Sequence, residues 1–112
     1  MSVSLVANRS MSISLPKQHK VLHLLSKVGA LVVQTVDVPS PGPNDVLLRV
    51  EAAGLNPLDF KIQDDGLFTT EYPTILGFDA AGIIVAVGSN VDRLQVGDRV
   101  CGRISLYTSE RV

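Results

Sequence analysis

A small, mostly β fold is the prediction for this 112-residue chain: a partly open antiparallel barrel with one or two short helical turns. Three observations predict it. Apolar runs of strand length, rich in Val, Ile and Leu, recur between turn signals. Nine glycines and six prolines punctuate the chain at short intervals. Only one segment, opened by Asn56-Pro57, carries the start signals of a helix. Short strands, frequent Gly/Pro turns and little helix together argue a small β architecture.

The elements follow in order. Residues 1–18 show no alternating pattern, and Met11 repeats the flavour of Met1, so they are expected to be a disordered extension of no fold value. Val21-Leu22-His23-Leu24-Leu25 is a first strand and residues 31–38 a second, paired as a hairpin across Lys27-Val28-Gly29-Ala30. Pro39-Ser40-Pro41-Gly42-Pro43-Asn44 is loop, because its prolines lack a donor and disfavour helix in the residues before them. Residues 45–53 alternate: Val46, Leu48, Val50 and Ala52 face one way, Leu47, Arg49 and Glu51 the other, as in a half-buried strand. Gly54 ends that strand. Asn56 is a competent N-cap, Pro57 suits the first helical position, and the helical turn runs through Ile62. Residues 63–73 read as a polar loop. Residues 80–87 form a strand rich in Ile and Val, Gly88-Ser89-Asn90 turns the chain, and Val96-Gly97-Asp98-Arg99-Val100 leads into a last strand through Ile104. Residues 103–112 show no pattern.

Composition excludes several function classes. Hydrophobic residues are 46% of the chain and aromatics 4%, with no Trp, so Val, Leu, Ile and Ala must build the core. A domain of this length buries ~65% of its unfolded surface, enough for a core without staples. The net charge is −1, and scattered Lys and Arg form no run to track a phosphate backbone, so no nucleic-acid partner is expected. No apolar run nears the roughly 20 residues of a membrane helix. The single cysteine, Cys101, excludes an internal disulfide framework and fits the reducing cytoplasm.

Two glycine-framed segments carry the chemistry: Gly54-Leu55-Asn56-Pro57-Leu58-Asp59 and Gly77-Phe78-Asp79-Ala80-Ala81-Gly82. With the early hairpin, the Pro-Gly-Pro loop and its following Val-Leu-Leu-Arg-Val strand, Tyr-Pro-Thr-Ile-Leu, and Val-Gly-Asp-Arg-Val, they occur in the order of a known family. Over roughly residues 20–104 the chain resembles the N-terminal GroES-like domain of the medium-chain dehydrogenase/reductase superfamily. Zinc alcohol dehydrogenases of that superfamily place Cys and Ser in the first segment and His-Glu in the second. Here Asn56, Leu58 and Phe78-Asp79 stand instead. Phenylalanine offers no ligand atom and an amide suits zinc poorly. The resemblance is therefore to the zinc-independent quinone oxidoreductases and enoyl reductases, with no metal ligands in this chain. It implies NADPH reducing a quinone, enone or enoyl thioester, a small-molecule substrate, and a homodimer for the full-length form.

In that family a Rossmann domain follows and holds most of the NADPH. No G-x-G-x-x-G follows a strand here, and Gly77 to Gly82 has P-loop glycine spacing but Ile83-Ile84 where Lys-Ser/Thr is needed. Residues 19–112 are thus expected to be a truncated GroES-like domain, inactive as a fragment and binding no cofactor alone. The alternative is a non-catalytic small β-barrel binding module or an inactive remnant. A co-chaperonin role follows from fold analogy alone.

The resemblance puts Asn56 beside nicotinamide and substrate, where its amide can donate to a carbonyl oxygen as enolate charge develops. Capping α-helical N–H groups explains the same residue without chemistry. Pro57 and Asp59 fall with Asn56 at the cofactor. Asp59 is equally an acid favoured by a helix N-terminus. Lys61 matches a lysine that enoyl reductases place at the substrate pocket, and is otherwise a solvated side chain. Asp79 is expected to be partly buried and bonded to backbone, Phe78 to be a hydrophobic wall, and Ala80-Ala81-Gly82 to permit close packing or a kink. His19 and His23 share i,i+4 spacing, but in a strand that is about 13 Å, so both are expected at the surface. Cys101 is expected to be a buried apolar thiol or a bystander.

Overall fold

In the computed structural model, the structure describes the backbone of residues 3–6, and residues 15–66, 69 and 71–103 in full. Strand β2 (Gln18–Leu24) and β3 (Leu31–Asp37) form the expected hairpin, in register from Gln18↔Asp37 to Leu24↔Leu31. At its turn Val28 adopts φ 56°, a left-handed conformation uncommon outside glycine, and its N–H bonds the Gln63 carbonyl at 3.1 Å. Strand β1 (Val3–Val6), β4 (Val46–Ala53), helix α1 (Pro57–Asp65), β5 (Thr74–Ile75), β6 (Asp79–Val87) and β7 (Arg99–Arg103) complete the chain.

The strands make two sheets, β1-β4-β6-β7 and β3-β2-β5. All pairings are antiparallel except β1 with β4, and the two sheets do not close into a barrel. This is the mostly β, open architecture expected. Each sheet has its own apolar cluster. Val46, Leu48, Ala80 and Ile84 form one, flanked by Val50, Val87, Val91, Leu94 and Val100. Leu24, Ile62 and Phe78 form the other, flanked by Leu58, Tyr72 and Leu76. Full burial of such side chains stabilises by about 1.5–3 kcal/mol each relative to exposure. The second cluster ties helix to hairpin, and so positions everything at the helix start.

Several expectations change. Val3–Val6, within the expected disordered extension, pair with Val46 to Arg49. A free edge of β4 offers unpaired N–H and C=O groups, and the extension supplies a strand to meet them. Residues 7–14 of that extension, and 104–112, lie outside the described residues. The period-2 reading of β4 fails at its start, where Val46, Leu47 and Leu48 are all buried. Register shifts between Leu47/Leu48 and between Val50/Ala52 break strict alternation, as a bulge does. Helix α1 runs three residues beyond Ile62 and ends where Gly66, at φ 68°, donates its N–H to the Ile62 carbonyl. Strand β5 is new: two residues are too few for a periodic signal.

Close packing at Gly82 is borne out. A Cβ there would lie 2.0 Å from the Arg49 carbonyl oxygen, closer than any side chain tolerates. The proline-rich loop is pinned to the β6–β7 connection, with Asn90 N–H on the Pro43 carbonyl and Gly88 N–H on Asp45, both at 2.8 Å.

His19 needs correction, and Cys101 keeps only one of its two readings. His19 is 6% exposed, on the inward face of β2 with Val21, because the strand alternates buried and exposed positions from Gln18 to Leu22. Its Nε2 has no hydrogen-bond partner among the described residues. His23 is half-buried and its Nδ1 bonds Gln34 Oε1. Of the two readings of Cys101 the buried thiol fails and the bystander stands: it is exposed, because β7 is the outer strand of its sheet and covers little.

Burial holds the His19 imidazole below its ordinary pKa. The folded chain therefore resists a proton that the unfolded chain accepts below about pH 6.5. The stability this neutral side chain carries is complete above that pH and falls as pH drops toward the lowered folded value. His19→Val should flatten the decline in unfolding free energy between about pH 7 and 5, measured by urea titration. Equal slopes for the two proteins would show that His19 is not the group responsible.

Candidate active site

The two glycine-framed segments become neighbours because β4 and β6 pair. Ala53 lies opposite Ala80, and Val50 opposite Gly82, so the end of one strand meets the start of the other. One further rung, Gly54 N–H to the Asp79 carbonyl at 3.0 Å, carries the pairing past the strand end. A Cβ at Gly54 would sit 3.2 Å from that of Asp79, so the bare glycine lets the two backbones and the Asp79 side chain crowd together.

Asn56 then opens α1 in extended geometry, φ −124° and ψ 147°, with Pro57 at the first helical position. Asn56 and Asp59 form the capping box of α1. Asp59 Oδ2 accepts the Asn56 backbone N–H at 2.9 Å, and an acid in the first turn also suits the helix dipole. Asp59 Oδ1 accepts the Gly77 N–H at 3.0 Å. One carboxylate thus clasps the first segment to the second.

The Asn56 side chain turns toward Asp79, its Nδ2 donating to Asp79 Oδ2 at 2.7 Å. That is short for an amide donor, as fits a charged acceptor. Asp79 is exposed, where partial burial was expected. The reason is the strand entry: successive side chains face opposite ways. Phe78 goes into the core at 5% exposure, against Leu24 and Ile62, as the wall expected, and Asp79 goes to the surface.

Of the sequence-predicted site residues, the structure joins Asn56, Pro57 and Asp59 with Asp79. Lys61 is exposed on α1 and bonded to none of them. Leu55, 96% exposed and next to Asn56 in the chain, and Phe60, 55% exposed on α1, present apolar surface around the helix start. Sequence reasoning missed the third strand of the site. Strand β7 sets Arg103 opposite Asp79 and Cys101 opposite Ala81. A hollow of about 520 Å³ opens among Ala53, Gly54, Asp79, Ala81, Cys101 and Arg103. No motif spacing marks Cys101 and Arg103; only the register of β6 on β7 brings them there.

Among the described residues no three His, Cys, Asp or Glu side chains group as a metal site. The donors that do meet are one amide and one carboxylate, a poor match for the three sulfur, imidazole or carboxylate ligands of catalytic zinc. What the arrangement can do is present an oriented amide N–H beside an apolar, open surface.

Comparison with known proteins agrees with the geometry. The model of the alcohol dehydrogenase GroES-like domain matches residues 42–111. The dehydrogenase orsE of Emericella nidulans is 42% identical over 86 residues, 75% of this chain and 25% of that protein. The trans-enoyl reductase tndF of Aspergillus flavipes is 43% identical over 76 residues, 67% of this chain and 22% of that protein. The quinone oxidoreductase from Coxiella burnetii superposes with a TM-score of 0.70 at 29% identity, over 78% of this chain and 30% of that one. A cobalt- and zinc-bound alcohol dehydrogenase from Pyrobaculum aerophilum superposes with a TM-score of 0.69 at 29% identity, over 75% of this chain and 26% of that one. The chain therefore spans about a quarter of the length of the curated relatives it matches. It belongs to the alcohol dehydrogenase GroES-like domain family.

The Asp59 clasp has a measurable weight. Asp59→Ala removes both bonds, leaving two backbone N–H groups to find water, and should cost about 1–3 kcal/mol in chemical denaturation. Asp59→Asn keeps one accepting oxygen and should lose less. Equal losses for the two variants would contradict a two-bond role.

Proposed function

We propose that this member of the alcohol dehydrogenase GroES-like family is the substrate-activating part of a zinc-independent, NADPH-dependent oxidoreductase that reduces a quinone, an enone or an enoyl thioester. The observation that carries the reading is the Asn56 amide, held on Asp79 at 2.7 Å at the mouth of the helix while Phe78 fills the core. A neutral donor in a fixed place suits a carbonyl oxygen that gains charge as its conjugated β-carbon is reduced. Relatives named as trans-enoyl reductase and quinone oxidoreductase support the same reaction class.

NADPH, when bound, supplies the hydride. The described residues include no glycine-rich turn at a helix start that could take its pyrophosphate. This chain's part lies at the nicotinamide end, where Asn56 and Pro57 present the helix entry. Asp59 supports that entry from behind, with one backbone N–H on each oxygen, so its contribution to the cofactor is to hold Asn56 still. Leu55 and Phe60 can cover the flat apolar body of a quinone or an acyl chain and exclude water there. Lys61, exposed further along the helix, is available to an anionic substituent at the rim.

Two measurements test the reading. Purified protein should hold no tightly bound zinc by metal analysis; about one zinc per chain would sink the zinc-free assignment. Joined to the nucleotide-binding domain of a relative, the chain should reduce an enone or quinone with NADPH. In that fusion Asn56→Ala should lower kcat roughly 100-fold while changing the KM for NADPH little, since it removes a donor aimed at developing charge. Unchanged kcat would leave the chain a binding module without chemistry at Asn56.

A further inference from the structure

We propose that Asp79 is the positioning residue for Asn56, setting which edge of that amide meets an incoming carbonyl; this rests on the role of Asn56 proposed above. An asparagine side chain has nearly the same shape with its oxygen or its nitrogen on a given side, and the wrong edge would repel a carbonyl oxygen. An ionised carboxylate accepts and cannot donate. With Asp79 Oδ2 at 2.7 Å, the nitrogen edge is the one that must face it, and the second N–H of that nitrogen is left to a ligand.

Both partners are anchored independently of this bond. The Asn56 backbone is held by Asp59 at 2.9 Å, and Asp79 is held by the rung from Gly54 at 3.0 Å. No side chain at position 54 comes between them. The bond between them is exposed, so water screens the Asp79 charge and its main effect is on orientation rather than on the field at the substrate. An exposed hydrogen-bonded pair also adds little to stability, so its loss should register in function and not in melting. Asp79 further lines the hollow beside the site, which places the oriented N–H at the edge of open space.

Two experiments test this. In nitrogen-edited NMR of the 112-residue chain, the Asn56 side-chain signals are identified by their loss in Asn56→Ala. Asp79→Ala should move them and shrink the separation of the two amide protons, and Asp79→Asn, which keeps an acceptor, should fall between. Signals indifferent to Asp79→Ala overturn the proposal. In the fusion, Asp79→Ala should lower kcat roughly 10- to 100-fold with melting temperature and the KM for NADPH unchanged. The double variant should be no slower than Asn56→Ala alone. Losses that multiply would show Asp79 acting apart from Asn56, which overturns the proposal. If Asn56→Ala costs turnover and Asp79→Ala does not, this inference alone fails. If Asn56→Ala costs nothing, the reading beneath it fails and this one falls with it.

Discussion

One carboxylate holds the candidate site together. Asp59 accepts the Asn56 N–H on one oxygen and the Gly77 N–H on the other. These donors belong to segments far apart in the chain, one leaving β4 and one entering β6. Strand pairing alone brings the segments alongside each other at Ala53 and Ala80, and it ends one rung further, at Gly54 and Asp79. Beyond it, the helix start needs an acceptor for an orphan donor, and the bend at Gly77 needs one too. A single side chain meets both needs, so the capping of α1 and the assembly of the site are the same event.

The strand entry at residues 78 and 79 shows how core and site share a sequence. Phe78 closes the cluster with Leu24 and Ile62, and Asp79, one residue on, faces the surface and the Asn56 amide. Alternation in a strand makes this economical, since adjacent residues serve opposite faces. It also couples them. A change that loosens Phe78 shifts the backbone that aims Asp79, without touching the polar pair itself.

Much of this was legible in the sequence, for physical reasons that can be named. Strands β3 and β6 carry β-branched runs, β2 a short apolar one, and Asn56-Pro57 is a helix start by local chemistry alone. Phe78 was expected as a wall because an aromatic side chain beside strand residues has nowhere better to go. What failed depended on neighbours that the chain meets only after folding. His19 reads as a surface residue until alternation in β2 turns it inward. The buried reading of Cys101 fails because β7 proves to be an outer strand. The burial of Val46, Leu47 and Leu48 together depends on a bulge, and β5 on two residues finding the edge of β2. The Asn56–Asp79 bond was the least visible of all, because each residue had a sufficient local explanation.

Gly82 separates two kinds of resemblance. Its place is required by backbone fit, with the Arg49 carbonyl where a Cβ would be, and it stays required whatever the site does. Asn56 and Asp79 are under no such backbone constraint, since the bond between their side chains lies at the surface. Under mutational drift the two halves of the motif can therefore part company. A descendant could lose the amide and the carboxylate, keep every glycine, and fold to the same outline with nothing left to do. Recognition by glycines tracks ancestry of shape; only the residues at 56 and 79 track whether the chemistry has survived.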